Sequence, residues 1–505
     1  MKHCNITILI MTLLVLNVSN RVNGQEKSTP ILPIPKLETF TAHGKVSNGG
    51  KIVNYTSIAK ESFLKNSNGD SIASIWSVSY SQDGVTDLTT RPVMFVFNGG
   101  PGSASVWLHM GMFGPKIVAV DSDANIDDGA APYVLKENID GILDLTDLVF
   151  VDPVGTGYSR VVGKGKVEDF WGLNEDAASI AQFMRLWVTE NHRWLSPKYI
   201  AGESFGTTRA VAVASALEGG GQDMALNGLI LISQALDYAG STSDHDNITS
   251  YLTYLPAMAA TAWYHKKAGI GKTLTSFLDE CRAFTYDVYT PALYRGNLLS
   301  DLQKDNIASK LHYFTGLKKT YIVQSDLRIL IPRFQKQLLA DEGLAIGRLD
   351  GRYKGEEGDK VSESPHLGDA ASYQISSAYT AALNHYFATD LKVSMDRPYL
   401  TSNRQIGKKW RWRTVSDDQA WEPWTPNVAR KLGETMRRNT QMKVLVASGY
   451  YDLICPFFDA EYTFARNDIV KSRVTMTYYE AGHMMYTHQP DLKKLAADIR
   501  KFLVD

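Results

Sequence analysis

The sequence predicts an α/β fold: a mostly parallel central sheet with helices on both faces, interrupted by a mainly helical insertion. Three observations carry that expectation. Short apolar runs alternate with helix-forming runs through the first half of the chain. The rhythm breaks between Asp237 and Trp424, where the sequence is aromatic and helical in character, and then returns. Several apolar runs end in turns rich in glycine or in chemically reactive side chains, as parallel strands do at their carboxyl ends.

The elements follow in order. Lys45 to Tyr55 is β-rich and interrupted by Asn48-Gly49-Gly50, which suggests a hairpin. Ser71 to Ser81 partly alternates apolar and polar residues. Val93 to Phe97 is continuously apolar, as a strand buried on both faces should be. Leu148 to Val151 is a short strand leading into Asp152-Pro153-Val154-Gly155-Thr156-Gly157. Ala177, Ile180, Ala181, Met184, Trp187 and Val188 then keep the spacing of an amphipathic helix. Tyr199-Ile200-Ala201 runs into Gly202-Glu203-Ser204-Phe205-Gly206, and Leu229 to Ser233 gives the next strand. After the insertion, strands are expected at Met442 to Ser448 and Arg473 to Tyr479, with a closing amphipathic helix at Asp491 to Val504. The organisation read from this is a signal peptide at 1–24, a flexible leader at 25–36, a core at 37–236 and 425–505, and a cap at 237–424. A polar glycine-rich loop, Gly347 to Gly368, lies within the cap.

Bulk properties narrow the function. The chain has 505 residues, 44% hydrophobic and 21% charged, which is ordinary for a globular protein. A formal net charge of -1 gives no argument for nucleic acid or an anionic membrane as partner. Lys2, the apolar run Ile6 to Val18 and the small-residue site Val22-Asn23-Gly24 read as a removable export signal, too short to span a bilayer comfortably. A secreted or periplasmic location is therefore expected, with no stable membrane insertion after signal removal. Only Cys281 and Cys455 follow that segment, so there is no disulfide framework. Neither HExxH nor a CxxC pair is present, and no metal or other cofactor is expected.

Gly202-Glu203-Ser204-Phe205-Gly206, between a strand and a helix, has the form of a nucleophile elbow. A serine hydroxyl is a poor nucleophile at neutral pH and needs a base, which in turn needs an orienting carboxylate. The α/β-hydrolase order is serine, acid, histidine. Asp452, after the strand ending at Ser448, and His483, after the strand ending at Tyr479, fit it; nearby His488 is a competitor. Asn98-Gly99-Gly100-Pro101-Gly102, after Val93 to Phe97, can expose backbone N–H groups for an oxyanion hole, assigned to Gly100 and Phe205. A phosphate cradle would want Gly-Lys-Ser/Thr directly after these glycines, and Ser103-Ala104-Ser105 follows them instead.

Four segments, Asn98 to Ser103, Asp152 to Ser159, Gly202 to Gly206 and Ala481 to Met484, resemble the signature segments of the serine carboxypeptidase (carboxypeptidase C, cathepsin A-like) family, in the family's order. Tyr254-Leu255-Pro256, Ala262-Trp263-Tyr264-His265 and Gly449-Tyr450-Tyr451-Asp452 look like a bacterial branch. The resemblance covers essentially all of the chain after the signal. It implies an α/β-hydrolase fold with a helical cap, and release of single amino acids from peptides with a free C-terminus through an acyl-enzyme. It also implies that Asn98 and Glu203 bind the substrate's terminal carboxylate. Glu203 can donate a hydrogen bond only when protonated, which points to acidic working conditions. Three departures are visible. Met112 stands where a second acidic residue is usual, Ser103 where a cysteine is usual, and Phe205 where tyrosine is common. Some relatives carry a cysteine near the position of Cys455, which is expected either as a free, partly accessible thiol at the pocket or as a buried small hydrophobe. An esterase or acyltransferase on the same machinery, or a non-catalytic binding protein on the same scaffold, stays open at this level.

Overall fold

The computed structural model describes residues 31–120, 124, 129–219, 221–415, 418–422 and 425–505. The expected signal segment and the first half of the leader, residues 25–30, fall outside these residues. Among the described residues no helix is long and apolar enough to cross a membrane.

One ten-stranded sheet organises the molecule. Across it the strands run Thr39–Asn48, Lys51–Lys65, Ser71–Gln82, Asp147–Asp152, Val93–Phe97, Lys198–Glu203, Gly228–Ile232, Lys443–Gly449 and Val474–Tyr479. Arg160–Val161 pairs with Ser71–Gln82 off that path. The first four strands in this order pair antiparallel, and every later pairing is parallel. The expected hairpin forms with Asn48 opposite Lys51, so Gly49 and Gly50 make the two-residue turn.

The apolar runs have a direct cause. Met94, Val96, Ile230, Ile232, Leu445 and Ala447 pack into one core cluster. Their alternate neighbours Val93, Phe95, Leu229, Leu231, Val444 and Val446 pack into the other. Each strand is covered on both faces, so no polar alternation survives. The helices Leu173–Glu190 and Phe205–Leu217 cover the second face. The helices Ala370–Thr389 and Gln489–Val504 cover the first.

Ser71–Gln82 departs from the half-buried strand that its alternation suggests, because Ala73 to Tyr80 are all buried. Its hydroxyls find partners inside. Ser74 Oγ donates to Glu61 Oε1 at 2.8 Å and Ser79 Oγ to the Ile58 carbonyl at 3.3 Å.

From Tyr238 to Lys409 the chain is helical apart from the small hairpin of Leu344–Ile346 and Lys354–Glu356. Its first part has its own apolar cluster, which includes Leu255, Phe277, Leu311 and Phe334. Its last part turns back to the sheet. Ala378, Leu383 and Tyr386 pack with Tyr80 and Phe150, and Ser402 and Leu400 bridge to Ser103 and Gly157.

Candidate active site

Four parallel strands that lie side by side, Val93–Phe97, Lys198–Glu203, Gly228–Ile232 and Lys443–Gly449, with Val474–Tyr479 next to them, point their carboxyl ends at one edge. The turns that follow them line a cavity of about 700 Å³. Asn98, Gly99, Gly100, Glu203, Ser204, Phe205, Cys455 and His483 all border it.

The elbow is built as the sequence predicts. The strand ends at Glu203, the helix begins at Phe205, and Ser204 between them has φ 59° and ψ -132°. A non-glycine residue held there carries roughly 1–3 kcal/mol of strain, which the surrounding packing must absorb. Gly202 makes the turn sterically feasible, since a Cβ there would lie 2.2 Å from the Gly206 carbonyl oxygen. The Ser204 amide donates to the Ile232 carbonyl at 3.0 Å, tying the elbow to the next strand.

Asp452 and His483 come together. His483 Nδ1 lies 2.7 Å from Asp452 Oδ2. The other carboxylate oxygen accepts from the amides of Ile454 (2.8 Å) and Cys455 (2.9 Å). An ionised carboxylate only accepts, so Nδ1 carries the proton and Nε2 is left as the basic nitrogen. Burial alone would depress the imidazole's pKa. The charge and hydrogen bond of Asp452 outweigh it and hold His483 well above the ordinary histidine value. The loop is pinned at three points: the His483 amide to the Leu349 carbonyl (2.7 Å), the His483 carbonyl to Ser233 Oγ (2.7 Å), and the Gly482 amide to Asp350 Oδ2 (3.0 Å). The competitor His488 instead bonds Asp491 at 2.8 Å at the start of the last helix and does not border the cavity.

The glycine turn after Val93–Phe97 sits directly against the elbow. A Cβ on Gly99 would meet the Phe205 amide nitrogen at 2.5 Å, so only glycine allows this approach. Among the described residues, neither the Gly100 nor the Phe205 amide has a hydrogen-bond partner. Two unpaired donors beside a serine hydroxyl are what a developing oxyanion requires.

Glu203 is buried beneath the same cavity. Its Oε1 accepts from Asn98 Nδ2 at 3.0 Å and its Oε2 from the Tyr486 hydroxyl at 2.5 Å. Burial is the main cause that pushes its pKa up to about 7; the positive field of His483 and these two hydrogen bonds oppose the rise, and Asp452 adds to it. Met112 does not border this network. It lies buried in the core, in the π-helical turn His109–Phe113. Tyr486 takes the second place at the Glu203 carboxyl instead. Cys281 and Cys455 are both buried and unpaired, so no disulfide forms between them. Burial keeps Cys455 as a thiol, its pKa raised despite the neighbouring His483. Asp452, Cys455 and His483 bring their donor atoms within 4.8 Å of one another, but Nδ1 of the histidine is engaged by Asp452.

Sequence reasoning missed the residues that hold the site together. Arg209, on the helix after the elbow, is fully buried. It donates to the Asn98 carbonyl at 2.5 Å and pairs with Asp176 at 2.6 Å. It thus locks the glycine turn to the elbow helix. Burial raises the pKa of Asp176, and Arg209 opposes that rise. Replacing Arg209 with Met is expected to cost about 3–5 kcal/mol, because among the described residues the buried carboxylate of Asp176 pairs with no other cation. Urea unfolding checks this, and pairing the change with Asp176→Leu should recover part of the loss. Tyr486 and Arg209 meet partners 283 and 111 positions away, and no local pattern marks them.

Comparison with known proteins agrees with this architecture. The sequence matches the serine carboxypeptidase family model over residues 76–495. No curated protein sequence matches significantly. Among solved structures, the chain is similar to Kex1(delta)p, a prohormone-processing carboxypeptidase from Saccharomyces cerevisiae, with a TM-score of 0.53 and 15% identity over 89% of this chain and 92% of that one. It also matches a proline iminopeptidase from Mycobacterium smegmatis, with a TM-score of 0.36 and 14% identity over 88% and 97% of the two chains. With its mostly parallel sheet, its α/β-hydrolase fold and a family match that spans most of its length, this chain belongs to the serine carboxypeptidase family of hydrolases.

Proposed function

We propose that the protein is an exported carboxypeptidase that releases one amino acid at a time from peptides with a free C-terminus. Ser204 Oγ attacks the last peptide carbonyl while His483 Nε2 takes its proton. Asp452 holds the imidazole in the tautomer that leaves Nε2 basic. The Gly100 and Phe205 amides receive the oxyanion. As the C–N bond breaks, His483 returns the proton to the departing amino acid. Water, deprotonated by the same nitrogen, then splits the acyl-enzyme at Ser204.

The observation that carries the reading is Glu203: a buried carboxyl, beside the elbow serine and hydrogen-bonded to Asn98, with its pKa pushed up to about 7. A protonated carboxyl and an amide are suitable partners for a substrate carboxylate, and a poor match for an ester lacking one. Export rests on the N-terminal pattern of Lys2, Ile6 to Val18 and the small-residue site before Gln25.

Digestion of a defined peptide, followed by mass spectrometry, tests the proposal. The free-acid peptide is expected to give a ladder shortened from its C-terminus, and the amidated peptide to persist. Internal cleavage, or equal loss of both peptides, would contradict it.

A further inference from the structure

Among the described residues that line the cavity, Arg348 is the single basic side chain of fixed charge. It is an exposed residue placed just before Leu349, whose carbonyl accepts from the His483 amide. Its surroundings fix the side chain without neutralising it. Nε approaches the Leu453 carbonyl at 3.4 Å, and the guanidinium reaches the Tyr254 hydroxyl. Tyr254 in turn donates to the carbonyls of Ser241 and Ile454. Among the described residues Arg348 has no carboxylate within ion-pair distance. By contrast, Arg333 is paired with Glu363, and Arg328 with Asp326. A cation held by neutral oxygens at the edge of a catalytic cavity is free to meet a charged ligand.

Its position relative to the cut follows from the segments that hold it. Glu203 is bonded to Asn98, on the glycine turn, and to Tyr486. Arg348 is bonded to the Leu453 carbonyl, and Tyr254 beside it to the carbonyls of Ser241 and Ile454. Glu203 is thus tied to the glycine turn beside the elbow, and Arg348 to the turn that follows Asp452, so different segments bring them to the cavity. With a terminal carboxylate at Asn98 and Glu203 and the reacting carbonyl at Ser204, the Arg348 side receives the part of the peptide that precedes the cut. Ser241, Thr242 and Ser243 also line the cavity, together with the apolar Ile331, Pro332 and Ile454.

We propose that Arg348 is a specificity-determining residue that selects peptides with an acidic side chain at the position preceding the cleaved bond. The proposal rests on the carboxypeptidase reading for its peptide substrates, but the acyl side of the site can also be read with simple esters. The contact is partly exposed, so its effect is modest and weakens with ionic strength.

The test uses N-blocked dipeptides with Glu, Gln or Lys in the penultimate position and one common C-terminal residue. N-blocked methyl esters of the same three amino acids are assayed in parallel. Wild type is expected to prefer Glu over Gln by roughly fivefold in kcat/KM at low salt, with the ratio shrinking in about 0.5 M salt. Arg348→Gln should bring the ratio to about one. Arg348→Lys should keep its direction, and Arg348→Glu should turn the preference toward Lys. Moving Glu to the C-terminal position should give no Arg348-dependent ratio. A Glu-to-Gln ratio at or below one in wild type, or a ratio unchanged in Arg348→Gln, would overturn the assignment. If only the esters are cleaved, the carboxypeptidase reading fails, and the ester ratios still decide the role of Arg348.

Discussion

Replacing Ser204 with Ala is expected to lower kcat by about 10⁶-fold while the protein stays folded, since serine nucleophiles and their bases act as one unit. The reasons lie in the elbow. Ser204 sits at φ 59° whatever its side chain bears beyond Cβ, and its amide bond to Ile232 involves only backbone. Alanine keeps that geometry and removes only the attacking oxygen. The His483→Ala variant should lose about as much, and the double variant little more, because either loss disables the same step. Asp452→Asn should cost roughly 10⁴-fold, because an amide at 2.7 Å from Nδ1 no longer favours the tautomer with a basic Nε2. Single-turnover kinetics with an N-blocked dipeptide and thermal melting of each variant check these values. Near-normal turnover in folded Ser204→Ala would remove Ser204 from the mechanism.

The second large effect is a pH dependence set by Glu203. Burial holds its proton up to about pH 7, so below that value the carboxyl can donate to a substrate carboxylate. Above it two negative carboxylates would face each other at the Asn98 amide, and binding fails. The sign follows. Peptidase kcat/KM should fall as pH rises through about 7, whereas an ester without a carboxylate should not lose rate there. The opposite limb belongs to His483, which must be neutral to act as a base and whose pKa Asp452 raises. Its charge also acts on Glu203, so the two limbs belong to a coupled pair. In Glu203→Gln the amide donates at every pH. The falling limb should vanish, with roughly tenfold lower kcat/KM at low pH, where a neutral amide replaces a stronger donor. A falling limb that persists unchanged in Glu203→Gln would assign it to another group.

Much of this architecture is written locally in the sequence. Val93–Phe97 and Lys443–Gly449 are legible because burial on both faces demands unbroken apolar runs, and the first hairpin because Gly49-Gly50 fills its turn. The full length of Lys51–Lys65 is not legible, since Lys60 and Glu61 look like loop residues. Glu61 is buried where Ser74 on the next strand, and Arg160 and Arg397 from farther along the chain, supply its partners. The serine-rich strand Ser71–Gln82 reads as half-exposed for the same reason. The hairpin of Lys116–Ala119 and Val134–Glu137 carries no pattern that sequence reading picked up.

The site shows the same division. Ser204, Asp452 and His483 follow motifs at strand ends, so their chemistry is visible one segment at a time. Tyr486, Arg209 and Arg348 are ordinary residues until the fold sets them against Glu203, Asn98 and the cavity wall. The change in rhythm at Asp237 marks where the chain leaves the sheet. It does not show that helix Ala370–Thr389 returns to pack on it, because connectivity and packing are separate properties.

The most direct measurement compares kcat/KM for one N-blocked dipeptide as its free acid and as its C-terminal amide, at about pH 5, in wild type and in Glu203→Gln. The account predicts that the free acid is favoured by at least about 100-fold in wild type, and that the ratio contracts when Glu203 is changed. Equal rates for acid and amide, or a ratio indifferent to Glu203, would contradict the claim that this site reads a free C-terminus.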